Sequence, residues 1–440
     1  MSDEIYGILA IDQNNGIGLN KSLPWHIPEE LKLFKKKTLP IKNLLFGNST
    51  TFPNLPDRNI YIFSSTSHAF NTPQKVLQNI PKPFCVCGGA KTIIQFIPYI
   101  TTFYLSILKT SYTCDTFIPF EIFYDFTIVE KIDYPEFTYY TLKKNISPDT
   151  QYLNLLQKVL STGELKQSRN SQTLSCFNST LHFSLLNNQF PLLTTKKMFL
   201  TGIIHELLFF LSGETDTTIL SKKGVKIWEG NTSEQFLKSH NLPYPPGEMG
   251  PMYGYQFRNF GKPFKLNSQN HQDQKINYPD QLQNIINLIL TDPFSRRILL
   301  TSFNPLQADE GVLYPCHSIV LQFNVSSCLT YLDLFCYNRS QDLFLGTPWN
   351  IASTSLLLIL IAKITNKIPR NFYLTLGDTH IYTSHISQVK TQLKNIPYSY
   401  PTLTISKSLT SIQDILNLTP SDFILSNYQS HPIIKAEMIP

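Results

Sequence analysis

Leu313-Tyr314-Pro315-Cys316-His317 is the stretch of this 440-residue sequence that decides the fold and the chemistry. Asn338-Arg339-Ser340-Gln341-Asp342 follows it, and then Gly346-Thr347-Pro348-Trp349-Asn350. A lone cysteine in an intracellular protein is usually a buried structural thiol. A cysteine followed by a guanidinium, a hydroxyl, a carboxylate and an amide instead describes a nucleophile with an anion-binding group and a group that reads a base.

The chemistry of these side chains suits attack on an electron-poor pyrimidine carbon. Such attack requires a thiolate, which a nearby arginine favours. Arg339 and Ser340 can hold a phosphate by charge-assisted hydrogen bonds. The Asn350 amide can both donate and accept, which suits the O4/N3 edge of a uracil. We therefore predict that Cys316 is the nucleophile of a nucleotide site.

The same residues resemble the catalytic core of thymidylate synthase, whose pattern is Pro-Cys-His, then Gln-Arg-Ser-x-Asp, then Gly-x-Pro-Phe-Asn. Asn338 and Trp349 stand where that family usually has Gln and Phe. The resemblance continues over the C-terminal two-thirds of the chain. It implies that Cys316 adds to C6 of dUMP, with 5,10-methylenetetrahydrofolate as co-substrate.

Length and composition predict two globular domains. A chain of 440 residues is too long for one ordinary core, and 42% hydrophobic with 15% charged residues is typical of globular proteins. The net charge of +6 is mild and gives no reason to expect nucleic acid as a partner. The longest apolar run, 356–362, is far too short to span a membrane, and no secretory segment is expected.

The cysteines indicate a reducing compartment. There are seven, scattered and without a CxxC pair, so we expect no metal site and a cytoplasmic location. Cys85-Val86-Cys87 is expected to lie on a strand with its two thiols on opposite faces.

A first domain is predicted over residues 1–142. Ile5–Ile11 is apolar and predicts a buried strand, and Pro28 is expected to begin a helix over 29–36. Glu30 and Phe34 are four residues apart, so both lie on one face of that helix. The carboxylate of Glu30 is either solvated or buried for a task, because burying it is costly.

The first domain resembles dihydrofolate reductase, because Ala10, Gly16-Ile17-Gly18, Leu23-Pro24-Trp25 and Glu30 occur in the order and spacing of that family. The resemblance implies an α/β fold with a mixed central sheet flanked by helices. It also implies that the acid at Glu30 contacts the pteridine and supports protonation of N5. The residues implied to bind dihydrofolate are Glu30, Leu31, Phe34 and Arg58.

A cofactor site is predicted on the same domain. A strand over 84–87, the Gly88-Gly89 turn and a helix from Lys91 bring backbone N–H groups close to a pyrophosphate. The resemblance implies NADPH as cofactor. The residues implied to bind it are Ala10, Ile17, Gly18, Ser64, Ser65, Gly88, Gly89 and Lys91.

A linker over 143–150 and an α+β synthase domain over 151–440 complete the chain. The apolar helix Gly202–Leu211 carries Glu206, an unusual residue in such surroundings, and is expected to end at Gly213. The resemblance implies that Glu206, Tyr253, Asp342 and Asn350 assist Cys316 in catalysis. It implies dUMP contacts from Arg169, Arg296, Arg297, His317, Arg339, Ser340, Asn350, His380 and Tyr382. It implies folate contacts from Lys196, Ile227, Trp228, Leu313, Asp342, Gly346 and Trp349.

Arg296 and Arg297 carry a further implication. Two adjacent arginines would ordinarily point apart into solvent. In the family that the chain resembles, both cross the subunit interface to hold the phosphate in the partner's site. The resemblance therefore implies a homodimer that forms through the synthase sheet and has composite sites.

The whole chain thus resembles the bifunctional dihydrofolate reductase–thymidylate synthases, with dUMP and folates as partners and neither nucleic acid nor membrane. One alternative keeps the synthase and makes the first domain a degenerate, mainly structural module, since Asn48, Thr51 and Ile93 depart from the reductase pattern. A remote alternative is a dCMP hydroxymethylase, although such enzymes carry Asp at the position of Asn350.

Overall fold

A computed structural model describes residues 4–52, 54–64, 66–67, 70–145, 147–168, 171–264 and 278–439. The chain divides into two compact units: unit 1 is Met1–Thr150 with Ile396–Ser399, and unit 2 is Gln151–Asn395 with Tyr400–Pro440. Of residues 143–150, the first two end a strand and the last three begin a helix. The segment expected as a linker is therefore largely regular structure.

Unit 1 is built on a mixed sheet. Its strands are β1 (Ile5–Ile11), β2 (Gly16–Gly18), β3 (Asn43–Gly47), β4 (Asn59–Phe63), β5 (Phe84–Val86), β6 (Thr102–Leu108), β7 (Thr116–Phe117), β8 (Phe126–Asp133) and β9 (Phe137–Lys144). Seven of them form one sheet in the order β4-β3-β5-β1-β6-β9-β8, and β2 pairs with β7. β1 lies between two parallel neighbours, β5 and β6. This central position explains its continuous apolar sequence.

Three helices flank the sheet of unit 1: α1 (Pro28–Thr38), α2 (Pro73–Asn79) and α3 (Ala90–Phe96). Pro28 is in the first turn of α1, as predicted. The predicted strand–turn–helix unit is also present, because β5 leads through Gly88 and Gly89 into α3. Gly88 has a φ of 128°, which a residue with a side chain rarely adopts.

The expectation that Cys85 and Cys87 point to opposite faces is wrong. Both belong to one buried cluster with Leu44 and Phe46, and the Cys87 thiol lies 3.5 Å from the Cys85 carbonyl oxygen. Side chains alternate along a strand, so residues two apart share a face. The two cysteines therefore contribute to the core on the same side of the sheet.

Unit 2 combines one large sheet with helices. Its strands are β10 (Glu164–Gln167), β11 (Gln172–Ser184), β12 (Leu299–Thr301), β13 (Val320–Val325), β14 (Tyr331–Asp342), β15 (Ile368–Tyr382), β16 (Thr402–Ile405) and β17 (Phe423–Ser426). Six of them form the order β10-β11-β15-β14-β13-β12. Its helices are α4 (Pro148–Thr162, whose first three residues belong to unit 1), α5 (Leu200–Ser212), α6 (Thr218–Lys222), α7 (Glu234–Ser239), α8 (Gly254–Asn259), α9 (Gln281–Thr291), α10 (Gly346–Ile364), α11 (Ile386–Gln392) and α12 (Ile412–Leu416).

Two apolar helices form the centre of unit 2. α10 is long and apolar enough to cross a membrane by length and composition, but 78% of its most apolar window is buried inside the fold. It packs against α5, β14 and β15. α5 ends at Gly213, whose φ of 80° gives the left-handed cap predicted from the sequence. Burial in this core accounts for the apolar sequence of both helices.

Candidate active sites

A cavity of about 420 Å³ in unit 2 gathers most of the residues that the sequence marks as functional. We call it the cysteine cavity. The predicted residues that line it are Glu206, Ile227, Trp228, Tyr253, Leu313, Cys316, His317, Arg339, Ser340, Asp342, Gly346, Trp349, Asn350, His380 and Tyr382. They come from α5, α10, β14, β15 and the intervening loops. The fold thus assembles distant stretches of sequence around one thiol.

The Cys316 thiol contacts the hydroxyl of Tyr253. The Tyr253 oxygen lies 3.4 Å from Sγ of Cys316 and accepts a hydrogen bond of 3.3 Å from the Cys316 backbone N–H. Burial raises the pKa of the Cys316 thiol, whereas the Tyr253 hydroxyl and the Arg339 guanidinium lower it. The two polar neighbours therefore favour the thiolate that an attack on carbon needs.

Arg339 is tied to the loop that carries the cysteine. Its Nε donates to the Pro315 carbonyl at 2.7 Å, and its terminal nitrogen donates to the Tyr314 carbonyl at 2.9 Å. The backbone N–H of Arg339 donates to the Cys316 carbonyl at 2.9 Å. The part of β14 that carries Arg339 and the loop that contains Tyr314, Pro315 and Cys316 (the cysteine loop) are thus held together. The guanidinium places a positive charge beside the thiol.

His317 is a neutral group in the cavity wall. Its ring stacks on that of Tyr253, with centroids 4.2 Å apart. Burial lowers the pKa of His317 to about 4. At neutral pH its imidazole can therefore both donate and accept a hydrogen bond.

A relay of side-chain amides fixes the orientation of Asn350. The backbone N–H of Ser318 donates to Oδ1 of Asn338 at 2.7 Å, so Nδ2 of Asn338 faces Oε1 of Gln341 at 2.6 Å. The same Gln341 oxygen accepts from Nδ2 of Asn350 at 3.3 Å. Because a backbone N–H can only donate, the direction of every amide in the relay follows from it. No role for Gln341 was predicted from the sequence.

Glu206 is buried on α5 and bonded through both carboxylate oxygens. The indole N–H of Trp228 donates to Oε1 at 2.9 Å, and the indole N–H of Trp349 donates to Oε2 at 2.5 Å. Burial raises the pKa of Glu206 to about 7, while the two indole donors lower it. The carboxyl group can therefore gain or lose a proton near neutral pH.

Two further carboxylates organise the cavity wall. Asp342 accepts from the backbone N–H groups of Phe344 at 2.8 Å and Leu345 at 3.3 Å, at the start of α10. Asp378 lies 2.9 Å from Nδ1 of His380. The hydrogen bond from His380, with others, lowers the pKa of Asp378 to about 2. Asp378 therefore stays ionised and orients the His380 ring at the cavity wall.

Three of the predicted residues that the structure describes, Lys196, Arg296 and Arg297, are not in the cavity wall. Nζ of Lys196 donates to the Phe344 carbonyl and lies 3.8 Å from the centre of the Phe344 ring, so it supports the fold beside the site. Arg296 and Arg297 are exposed just before β12. Arg169 lies outside the described residues.

Asn231 was missed by sequence reasoning, yet it lines the cysteine cavity. It also lines an adjoining cavity of about 400 Å³, which we call the second cavity; Ile227 and Trp349 line both. Asn231 is buried, and its Nδ2 has no hydrogen-bond partner among the described residues. A buried orphan donor at the junction of two cavities was the signal available, but only three-dimensional structure reveals it. Other lining residues that the sequence did not mark are Tyr314, Gln341, Leu345, Met438 and Ile439.

Unit 1 contains a groove of about 720 Å³, which we call the glycine groove. The predicted cofactor residues that line it are Ile17, Gly18, Ser64, Gly89 and Lys91. Ala10 and Gly88 do not line it, and Ser65 lies outside the described residues. Lys21 and Lys91 supply positive charge, and the buried Oδ1 of Asn71 has no partner among the described residues. The groove therefore offers cations to anionic groups of a ligand and a free acceptor to a hydrogen-bond donor of the ligand.

Glu30 is buried on α1 and is not among the residues that line the glycine groove. Burial raises the pKa of Glu30 to about 7, while a side-chain hydrogen bond with Ser106 of β6 lowers it. Leu31 is half-buried, and Phe34 packs against the cluster that contains Cys85. The solvated alternative for Glu30 is thus excluded, because its side chain is buried and hydrogen-bonded to Ser106.

Arg58 lies at the other end of α1. Its terminal nitrogens donate to the Pro56 carbonyl at 2.8 Å and the Lys35 carbonyl at 2.6 Å. Its Nε is buried, with no partner in the described part of the chain. The guanidinium is therefore anchored by backbone groups and retains a free N–H for a ligand.

Two family models match the chain: dihydrofolate reductase over residues 4–143 and thymidylate synthase over residues 150–440. The bifunctional dihydrofolate reductase-thymidylate synthase of Leishmania major is 32% identical over 98% of this chain and 94% of that protein. The protein of the same name from Zea mays is 32% identical over 98% of this chain and 96% of that protein. The thymidylate synthase of Saccharomyces cerevisiae is 41% identical over 66% of this chain and 96% of that protein.

Proposed function

The chain belongs to the bifunctional dihydrofolate reductase–thymidylate synthase family, and on that premise we propose which residues carry its two activities. It is an enzyme that converts dUMP to dTMP and reduces dihydrofolate to tetrahydrofolate. The cysteine cavity is assigned the first reaction, and unit 1 is assigned the second. Neither alternative, a merely structural first domain or a dCMP hydroxymethylase, is favoured by the named relatives.

Cys316 is assigned the role of nucleophile, and the single observation that carries the assignment is its contact with Tyr253 inside the cavity. The thiolate forms a bond to C6 of dUMP, and the electrons of the C5–C6 double bond move towards C5 and O4. C5 then forms a bond to the one-carbon unit and loses its proton as the C–N bond to the folate breaks. Reduction of the one-carbon unit to a methyl group by the folate restores the C5–C6 double bond and expels the Cys316 thiolate. Arg339 and Tyr253 support the thiolate.

The amide relay supports Asn350 as the residue that reads the base. Its Nδ2 is held towards Gln341, which leaves one N–H and the carbonyl oxygen for a ligand. The N–H suits O4 of uracil, and the oxygen suits N3–H. The N–H would also stabilise the negative charge that gathers on O4 during attack.

Glu206 is assigned to proton handling near the pyrimidine. Its pKa of about 7 lets it exchange protons at neutral pH. His380 and Tyr382 are assigned to the deoxyribose. Their rings lie 5.2 Å apart in the cavity wall.

The second cavity fits the folate co-substrate. Ile227, Trp349 and Asn231 line it, and the orphan N–H of Asn231 offers a polar contact to a pterin. Trp228 and Asp342, in the wall of the adjoining cysteine cavity, offer a further aromatic ring and a carboxylate. Methylenetetrahydrofolate supplies the one-carbon unit and the reducing electrons when bound. The residues of the chain orient it and exclude water.

The dUMP phosphate is assigned to Arg339 and Ser340 of one chain, with Arg296 and Arg297 of a second copy. Both of the latter are exposed and outside this chain's own cavity wall. We assign the contact between copies to the outward face of the unit 2 sheet. A row of partly exposed side chains crosses it in register: His182, Tyr373, Phe335, Gln322 and Leu299. Three large hydrophobic side chains, Tyr373, Phe335 and Leu299, are exposed in this row, and a second copy can cover such a surface.

The reductase activity is assigned to the Glu30 side of unit 1 and the glycine groove. Glu30 binds the amino-pyrimidine edge of dihydrofolate and supports protonation of N5, Leu31 and Phe34 flank the ring, and Arg58 holds a carboxylate. The glycine groove fits NADPH, because Lys21 and Lys91 match its phosphates and Asn71 offers a free acceptor. NADPH supplies the hydride when bound. We also propose that the enzyme is a soluble protein of the cytoplasm, in keeping with its seven free cysteines.

Covalent trapping tests the nucleophile. Wild-type protein incubated with 5-fluoro-dUMP and methylenetetrahydrofolate should give an adduct that survives denaturation, visible as a mass increase of the chain. Cys316→Ser should give none, and dTMP formation should fall by at least about 10³-fold. Cys336→Ser, at a buried cysteine outside the cavity wall, should still form the adduct. An adduct on Cys316→Ser would refute the assignment.

A rate assay tests the reductase. Dihydrofolate-dependent oxidation of NADPH should be robust in the wild type and largely lost in Glu30→Ala. A rate that does not depend on Glu30 would refute the role given to this carboxyl.

A further inference from the structure

The indole N–H of Trp349 donates to Glu206, a contact that a folate-binding wall does not require. Trp349 forms part of the wall of both cavities in unit 2. A wall needs only the ring, and a phenyl ring would serve. The indole nitrogen adds a donor aimed at Oε2 of Glu206, 2.5 Å away and 143 positions distant in sequence.

We propose that Trp349 is a positioning residue of the synthase, whose indole N–H acts with that of Trp228 to fix both oxygens of the Glu206 carboxylate. The inference rests on the proposed role of Glu206 in proton handling. Trp228 alone would hold Oε1. The carboxylate could then still turn about its terminal side-chain torsion, whose energy wells are broad, so Oε2 would not be fixed. With both donors in place, the plane of the carboxylate is set.

The environment of Glu206 makes the second donor important. Glu206 is only 4% exposed, so water cannot replace a missing partner cheaply. Tyr253 is a titratable group whose charge interacts with that of Glu206. The other titratable or charged side chains of the same cavity wall are Cys316, His317, Arg339, Asp342, His380 and Tyr382. The two indole donors are the groups that offset burial of the Glu206 carboxylate.

A proton-transfer consequence follows. An N–H donor favours the ionised carboxyl over the neutral form. Removal of the Trp349 donor should therefore raise the pKa of Glu206, so that the carboxylate form is reached only at higher pH. Any step of the reaction that needs the carboxylate then loses rate as the pH falls, and it does so at a higher pH than in the wild type.

Trp349→Phe is the test, because it keeps an aromatic wall and deletes the N–H. Infrared difference spectra of the full-length protein should place the titration of Glu206 about one pH unit higher than in the wild type; Glu206→Gln identifies the band. The acid limb of the kcat profile for dTMP formation should move in the same direction, with about tenfold lower kcat at pH 6 and near wild-type kcat at pH 9. Trp228→Phe, which removes the donor to Oε1, should shift the titration in the same direction.

Trp25→Phe is the matched control. It deletes a buried indole N–H in unit 1 and should leave the Glu206 titration and the synthase pH profile unchanged. If Trp349→Phe leaves the pKa of Glu206 unchanged, the proposal is overturned. This includes the case in which only the KM for folate rises, since Trp349 would then serve only as part of the cavity wall. If the wild type forms no dTMP, the proposed function fails instead, and the titration still reports on the contact.

Discussion

Burial shifts the pKa of two buried carboxyl groups and the pKa of the histidine beside the Cys316 thiol in opposite directions. It raises the pKa of Glu30 and of Glu206 to about 7 and lowers that of His317 to about 4. In each case the charged form is disfavoured because it has lost water. The two acids are thereby poised at physiological pH, while the histidine is held neutral.

Glu30→Gln should separate function from stability. Because the folded-state pKa is raised from 4.5 to about 7, the wild type loses stability as the pH rises from about 4.5 to about 7, where the unfolded chain binds fewer protons. The Gln side chain has no such penalty. The variant should therefore be more stable than the wild type by on the order of 2 kcal/mol at pH 8 and similar at pH 4, as measured by chemical unfolding.

The same variant should lose most of its dihydrofolate reduction. Glu29→Gln, at the exposed neighbouring position of α1, is the control and should change neither property. A variant Glu30→Gln that is destabilised at pH 8 would contradict the burial argument.

At the scale of elements, α5 and α10 hold the parts of the synthase site in register. α5 carries Glu206, and α10 begins with the stretch that contains Trp349 and Asn350. The two helices pack against each other. The length of α5 is set by Gly213, at which the chain turns with a φ of 80°. The position of the Glu206 carboxyl thus depends on how this helix ends.

Gly213→Ala should destabilise unit 2 more than Gly224→Ala. Both glycines have a φ of 80°, so each substitution carries a left-handed penalty of about 1 kcal/mol. A Cβ at Gly213 would also lie 3.0 Å from Arg258, whereas nothing lies within 4 Å of one at Gly224. We expect a loss of about 2 kcal/mol for the first and about 1 kcal/mol for the second, measured by urea unfolding. Equal losses of stability would show that the Arg258 side chain moves aside at no cost in the free energy of unfolding.

For the whole molecule, the exposed Arg296 and Arg297 and the uncovered row on the unit 2 sheet lead to one expectation. A single chain should hold an incomplete dUMP site. Activity should then depend on association of two copies, because the arginines complete the partner's site.

Mixing two inactive variants tests this expectation. Cys316→Ser lacks the nucleophile and Arg297→Ala lacks the partner's phosphate ligand, so each homodimer should be nearly inactive. After dissociation and reassociation in equal amounts, half the dimers are mixed and each has one intact site, so about a quarter of the sites should recover. The measurement is dTMP formation per chain.

The control mixes Cys316→Ser with the double variant Cys316→Ser, Arg297→Ala, which has no nucleophile at all. It should stay inactive. No recovery in the first mixture, with mixed dimers verified by mass, would refute the composite site.

The sequence predicted the parts of the site that lie in short stretches. The residues of 313–317, 338–342 and 346–350 were recognisable together, and the apolar sequence around Glu206 marked that carboxyl. It could not predict the bond between Trp349 and Glu206, because the partners are 143 positions apart. The role of Gln341 was invisible for a similar reason, since it depends on the register of β14 against the cysteine loop. The error at Cys85 and Cys87 was one of strand geometry.

The relay that ends at Asn350 has an evolutionary consequence. Its direction originates at the main-chain N–H of Ser318, which every residue type except proline retains at that position. Mutations at Asn338 or Gln341 that keep an acceptor facing Asn350 can weaken the preference for uracil without reversing the orientation of the Asn350 amide. A descendant that came to prefer cytosine would have to acquire a new side chain at position 350 or a donor in place of the Gln341 oxygen. A main-chain group thus helps to keep the preference for uracil constant while the side chains around it change.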